Sequence, residues 1–356
     1  MFGCRRSVLL RRLWSSRCTG VEDGDVASLK LAARSIFQRL RLEQLERLCE
    51  SLNSGGAGDS ACVLVPRTEI RSGPTAPGGW AQLTPQLLLC RLFRWPDLRY
   101  QHEIKRLHCC PDFAKRDGDR GLVCVNPYHF SRLAEPETPP PPPYTKCSRS
   151  CSQWTGLMDW SGPGDAWSKD PSNEQCSNCY ETSNSSMEGY WCRLAYWEHR
   201  TRVGCQLAVQ EEAVSVFWDL PRGSGLCLSP LKPLGRGERS GESSSRRVRK
   251  RIGPGVVLSR EGGGVWLYNR SQVPVFVGSP TLLPPDSSRS ACKLLPGYSL
   301  KVFDYRRIPS RQAYVREKGP WDPHCIRVSF AKGWGPTYSR RLITSCPCWL
   351  EILLNK

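Results

Sequence analysis

Residues 134–190 break the chain into two parts, each of which must bury a core of its own. Pro139 to Pro143 form an unbroken proline run, and the residues after it are rich in Ser, Gly and Asn with a net negative balance. Such a stretch is stiff at its start and poor in regularly spaced apolar residues, so it reads as a linker. Trp154, Trp160 and Trp167 are unusual in it and point to transient clustering or a partner contact. The chain of 356 residues then holds two ordinary domains, and 39% hydrophobic content suffices for both cores.

Charge separates the parts further. Residues 1–136 carry 21 basic and 14 acidic side chains, 137–190 carry 3 and 7, and 191–356 carry 27 and 12. The surplus of cations therefore sits mainly in the C-terminal half. A field of that sign favours nucleic acid, phosphoprotein or an anionic surface without choosing among them. The 19 cysteines would suggest disulfides in a secreted chain. However, the opening MFGCRRSVLLRRLW offers only Val8-Leu9-Leu10 between arginines, which is no signal-peptide core. A cytosolic or nuclear protein is expected, with thiols buried as small hydrophobes or held as metal ligands. No run of 18 apolar residues occurs, so no membrane insertion is expected.

In the first part, Val26, Leu29, Ala33, Ile36, Phe37 and Leu40 recur at helical spacing. Leu42, Leu45, Leu48, Cys49 and Leu52 continue it until Asn53-Ser54-Gly55-Gly56. This predicts a helix pair whose basic residues Lys30, Arg34, Arg41 and Arg47 avoid the apolar stripe. Cys62 to Val65 reads as a short strand closed by Pro66, and Leu87 to Phe93 as a second apolar run ending near Trp95-Pro96. From Trp191 onward, strand-like segments appear at 192–197, 214–220, 264–269, 273–277, 300–305 and 326–330. Gly and Pro turns separate them, as in a β-sandwich. Residues 232–245 read as an exposed polar loop.

Three motifs can carry chemistry. Cys62, Cys110, Cys124 and His129 form C-x47-C-x13-C-x4-H, a Cys3His set of the kind that closes a structural zinc tetrahedron. Buried thiols alone would also account for it, and Cys109 competes with Cys110. Pro141-Pro142-Pro143-Tyr144 is a PPxY element, whose extended polyproline run and tyrosine suit a WW-domain groove; a stiff spacer is the plain alternative. Arg246, Arg247, Arg249, Lys250 and Arg251, and later Lys332 and Arg340-Arg341, read singly as solvated charge or, at 246–251, a nuclear-import patch. Gathered on one face they would make a groove for phosphoserine or acidic loops. The chain lacks a phosphate-loop signature, an H-E-x-x-H and a nucleophile elbow, and no histidine outside the zinc set suggests a base, so no catalytic activity is expected.

The segments RLFRWPDL (91–98), CVNPYHFSRL (124–133), AYWEHRTRVG (195–204), VFWDLPRGSGLCL (216–228), GVWLYNRS (264–271), SFAKGWGPTYSRR (329–341) and ITSCPCWLEILLN (343–355) together resemble the Smad family. With MFGCRRSVLLRRLW and PPPPPY, the resemblance is to inhibitory Smads, on the branch opposing bone morphogenetic protein signalling. It implies an α+β chain with three parts. A zinc-containing Mad homology 1 domain of helices and short strands spans 12–136, a flexible linker spans 137–190, and a β-sandwich Mad homology 2 domain with flanking helices and loops spans 191–356.

The same resemblance assigns Cys62, Cys110, Cys124 and His129 to structural zinc, and Arg247, Arg251, Lys332 and Arg340 to a basic groove gripping activated type I receptor kinases. It assigns Pro141, Pro142 and Tyr144 to the WW domains of Smurf-type HECT ubiquitin ligases. Other Smads are implied as further partners, in cytoplasm and nucleus. Activated relatives carry a Ser-x-Ser tail beyond CPCWLEILL, and its absence before Lys356 implies an inhibitor rather than an effector. DNA-binding Smads carry an Arg-x-Gln-x4-Lys hairpin where this chain has RTEIRSGPTAPGG (67–79). Gly73, Pro74, Thr75 and Ala76 are ill suited to donate to guanine edges, so only weak or indirect DNA association is expected. The competing reading is a nuclear, DNA-bound corepressor.

Overall fold

The structure, a computed structural model, describes residues 5–18, 23–57, 60–67, 84–111, 121–134, 189–220, 224–231, 242–283, 290–308 and 322–355. The PPxY element, the linker tryptophans and the hairpin residues 68–79 lie outside the described residues.

The expected helix pair is present as α2 (Asp23–Arg39) and α3 (Leu42–Ser54), preceded by α1 (Arg5–Ser15). Leu29, Ala33, Ile36, Phe37 and Leu40 of the first stripe and Leu45, Leu48 and Cys49 of the second are buried together, while Lys30, Arg34, Arg41 and Arg47 are exposed. Gly55, at φ 59°, ends α3 with its N–H on the Leu52 carbonyl. Sequence periodicity did not announce α1. Its Leu13 is fully buried, and its Arg6 guanidinium donates to the carbonyls of Phe37 (2.8 Å), Gln38 (3.0 Å) and Leu40 (2.9 Å), capping the negative end of α2.

The short strands of this half are β1 (Leu64–Pro66), β2 (Ile104–Arg106), β3 (Leu122–Cys124) and β4 (Phe130–Leu133), with β1 antiparallel to β3. Between β1 and β2 the apolar run 87–93 is helical, in α4 (Pro85–Phe93), all nine of whose residues are buried. A helix buried on every side shows no amphipathic period. The start signal instead lies in Thr84, whose hydroxyl accepts from Leu87 N–H at 3.4 Å, and in Pro85 at the first turn.

The C-terminal half supplies β5 (Cys192–Glu198), β6 (Thr201–Val209), β7 (Ala213–Phe217), β8 (Gly225–Cys227), α5 (Glu242–Ile252), β9 (Val256–Glu261), β10 (Gly264–Asn269), β11 (Val275–Gly278), β12 (Cys292–Leu294), β13 (Tyr298–Asp304), β14 (Cys325–Phe330) and β15 (Trp349–Leu354). They form a six-stranded sheet, β12-β11-β14-β15-β5-β6, facing a seven-stranded one, β2-β4-β13-β10-β9-β7-β8. Leu194, Ile326, Val328, Leu350 and Ile352 from the first meet Val216, Leu258, Leu267 and Val302 from the second in one core. Each fully buried aliphatic side chain is worth about 1.5–3 kcal/mol. The stretch read as a polar loop to residue 245 is corrected at its end: α5 starts at Glu242, and Ser245 is only 1% exposed.

The seven-stranded sheet draws strands from both halves. β4 pairs in parallel with β13, Tyr298 opposite Arg132 and Ser299 opposite Leu133. Around that seam, Lys105 Nζ meets Glu261 at 2.6 Å, and the Trp95 ring stands edge-on to Tyr298. Arg94 lies over the Trp95 and Tyr128 rings while donating to the Pro127 carbonyl (3.0 Å) and the Tyr268 hydroxyl (3.3 Å).

Candidate metal centre and basic surface

The four residues of the C-x47-C-x13-C-x4-H set converge. Their ligand atoms all lie within 4.8 Å of one another. Cys62 Sγ is 3.6 Å from Cys110 Sγ and 3.6 Å from His129 Nδ1, and Cys124 Sγ is 3.4 Å from that same nitrogen. Thiolates bound at about 2.3 Å in a tetrahedron sit about 3.8 Å apart, so the spacing matches a four-coordinate site. Cys110, Cys124 and His129 are buried, whereas Cys109 is exposed, which decides between the two neighbouring thiols.

Local structure sets this geometry. Cys62 precedes β1, Cys124 closes β3, and the β1–β3 pairing brings them side by side. His129 ends a single 3-10 turn begun by Asn126, whose Oδ1 accepts from Tyr128 N–H at 3.1 Å. The Asn126 amide also donates to Ser60 Oγ (3.0 Å) and Ala61 O (3.1 Å), and the Ser51 hydroxyl donates to Asn126 Oδ1 (2.7 Å), tying α3 to the site. His129 Nε2 lies 2.9 Å from the Ser60 carbonyl, to which it donates, and this fixes the tautomer that leaves Nδ1 free as a ligand. Hydrogen bonds with the Cys110 and Cys62 thiols, together with burial, push the Cys124 thiol far up from its ordinary value. A cation among the three sulfurs reverses that balance, so the cluster can hold a metal ion.

The basic residues fall on two segments. Arg247 and Arg251 are exposed, one turn apart on α5, whose opposite side buries Val248 and Ile252 in the core. Lys332, exposed, and Arg340, half-buried, belong to the loop after β14. That loop has one set shape. Ala331 takes φ 60°, the Lys332 carbonyl accepts from Ser329 Oγ (2.7 Å) and Cys346 Sγ (3.6 Å), and Gly335 N–H donates to Arg340 O (2.8 Å). A Cβ on Gly333 would stand 2.5 Å from the Tyr338 ring. Trp334 is buried with Phe276, Ile343, Cys346 and Trp349.

Both segments are fastened to one three-residue stretch, at neighbouring positions. Cys346 holds the Lys332 carbonyl, Pro347 O accepts from Ser245 of α5 at 3.1 Å, and Cys348 Sγ donates to Ser245 O at 3.6 Å. Sequence reasoning named Arg249 only as one of the basic run and missed Glu198, because their pairing joins positions 51 apart.

Residues 29–134 match the MH1 domain and residues 189–355 the MH2 domain. Mothers against decapentaplegic homolog 6 of Gallus gallus is 43% identical over 92% of this chain and 75% of its own length. The Homo sapiens homolog 7 is 39% identical over 93% and 79%. Among solved structures, the interferon regulatory factor 9 IAD domain aligns over 48% of this chain and 85% of its own with 11% identity and a TM-score of 0.32, a likeness too slight to carry any argument. On its two domains and these relatives, the chain belongs to the Smad family, in the inhibitory branch of homologs 6 and 7.

Proposed function

We propose that this protein is a non-catalytic antagonist of the BMP and wider TGF-β superfamily pathways. In this reading it binds activated type I receptor kinases, and other Smads, through Arg247, Arg251, Lys332 and Arg340. The observation that carries it is the shared anchoring of α5 and the Lys332–Arg340 loop on Cys346 to Cys348. Cations distant in sequence are supported by one short segment, and arginine forks can pair with phosphate oxygens. The Cys3His donor set, soft and closed, suits structural zinc, which would weld β1 and β3 to the 3-10 turn at His129. Pro141, Pro142 and Tyr144 would recruit Smurf-type HECT ligases through WW domains, bringing degradation to the receptor. The protein would work in both cytoplasm and nucleus; among the described residues no helix is long and apolar enough to cross a membrane.

Pull-down of the full chain by phosphorylated and by unphosphorylated type I receptor cytoplasmic domains tests the reading. Preference for the phosphorylated form supports it, and equal capture counts against it. The corepressor reading draws on the exposed Lys30, Arg34, Arg41 and Arg47 of α2 and α3, which suit loose phosphate contacts. A salt titration on DNA with and without Smad elements separates the two, because sequence preference persisting at moderate salt would favour the corepressor.

A further inference from the structure

Arg249 is the one cation of the 246–251 run that turns inward with Val248 and Ile252, and the four-residue groove makes no use of it. Its Nε and Nη2 both donate to the Glu198 carboxylate, with side chains 20% and 10% exposed. Glu198 closes β5, and its Oε1 also accepts from the Tyr196 hydroxyl at 2.9 Å. Tyr196 itself is 1% exposed. Separately, the Cys348 thiol donates to the Ser245 carbonyl at 3.6 Å, and the Ser245 hydroxyl donates to the Pro347 carbonyl at 3.1 Å. α5 is therefore held at Arg249 and, one helical turn earlier, at Ser245. Two fixed points one turn apart on the same side of a helix set its rotation about its own axis.

Apolar contacts of Val248 and Ile252 hold α5 against the core, but such contacts have no direction. A bidentate guanidinium–carboxylate pair does. A buried ion pair contributes little net stability compared with well-packed apolar residues, and its best-attested use is to fix register. The 11-residue α5 also carries five cations in the run 246–251, whose mutual repulsion disfavours the helix, and Glu198 supplies the opposite charge.

We propose that Glu198 is a positioning residue for anion recognition: by gripping Arg249 it holds α5 at the rotation that turns Arg247 and Arg251 outward, where the receptor reading needs them. The inference rests on the receptor reading above and deepens it by naming the residue that sets the groove's geometry.

The test measures affinity of the full chain for a phosphorylated type I receptor cytoplasmic domain, at a temperature where every variant is fully folded by circular dichroism. Glu198→Gln keeps the shape and removes the charge, and Glu198→Asp replaces it should the first fail to fold. Ile352→Val, in β15 and outside the Glu198–Arg249 pair, serves as a stability control. The expected loss for Glu198→Gln is about three- to thirtyfold, the scale on which residues that touch no ligand alter coupling. The exchanged pair Glu198→Arg with Arg249→Glu regains most of it, and Ile352→Val binds as wild type despite a lowered Tm. Wild-type affinity in Glu198→Gln while Arg247→Glu binds poorly overturns the positioning role alone. Wild-type affinity in Arg247→Glu overturns the groove reading and this inference together. An equal loss in Ile352→Val would reduce the effect to global stability and also overturn the inference.

Discussion

The Ser245 hydroxyl donates a 3.1 Å hydrogen bond to the Pro347 carbonyl, joining α5 to the start of β15 across 102 residues of chain. Both groups are buried, so removing the donor leaves the carbonyl without a partner in a dry site. Ser245→Ala is expected to cost about 1–3 kcal/mol of stability. Urea denaturation of the full chain measures it, and a change below a few tenths of a kcal/mol would show that the contact is not made in solution.

The Cys3His cluster predicts a difference between two adjacent cysteines. Cys110→Ser is expected to abolish stoichiometric metal and to unfold the first half of the chain, since a structural zinc supplies about 10 kcal/mol or more of apparent folding free energy. Cys109→Ser, at the exposed neighbour, is expected to leave metal content and Tm unchanged. Elemental analysis combined with thermal melts reads both. Equal metal content in the two variants would remove Cys110 from the site.

The turn after α5 offers a backbone test. Gly255 holds φ 70°, and a Cβ built on it would lie 1.9 Å from the Val216 carbonyl oxygen, where β7 passes beneath. Positive φ and a backbone clash add, so Gly255→Ala is expected to destabilise by about 3 kcal/mol or more. Chemical denaturation with an unchanged Cm would contradict the close approach.

Glu351 gives a pH dependence. Burial on the outer face of β15 raises its carboxyl above the ordinary 4.5, an effect the neighbouring Arg327 only partly offsets. A raised carboxyl binds more protons folded than unfolded, so stability is fully present below 4.5 and falls as pH rises through the folded value. Glu351→Gln, which stays neutral, is therefore expected to be more stable than wild type at pH 7, with the difference vanishing toward pH 4. Melts across that range check it, and a variant less stable than wild type at neutral pH would reverse the sign.

What could be read in the sequence tracked the reach of local physics. The α2 and α3 stripes and the Gly55 stop were legible because each is written within a turn or two of helix. Seven strand segments, β1 among them, were recognised from composition, though β2, β3, β4, β6, β8, β9, β12 and β15 were not. In β15, Trp349 and Glu351 sit on the outer face under their own cover, which blurs the alternation of apolar and polar residues. The Leu87–Phe93 run gave no period because α4 is buried all round. The metal ligands were candidates by residue type, but only the fold, which buries Cys110 in the cluster and leaves Cys109 exposed, chose between those two thiols. Arg249 looked like its basic neighbours until Glu198 was found opposite it, and the parallel seam of β4 with β13 had no sequence signal at all.

The central claim is that cations from α5 and from the loop after β14 act together on a phosphorylated partner. Its most direct test is the affinity of the Arg247→Glu, Lys332→Glu double variant for a phosphorylated type I receptor cytoplasmic domain, with circular dichroism confirming the fold. The account predicts binding lost or reduced at least about tenfold, on the scale for breaking charge pairs at an interface, with Tm nearly unchanged because both side chains are exposed. A folded double variant that binds the phosphorylated receptor as tightly as wild type would contradict it.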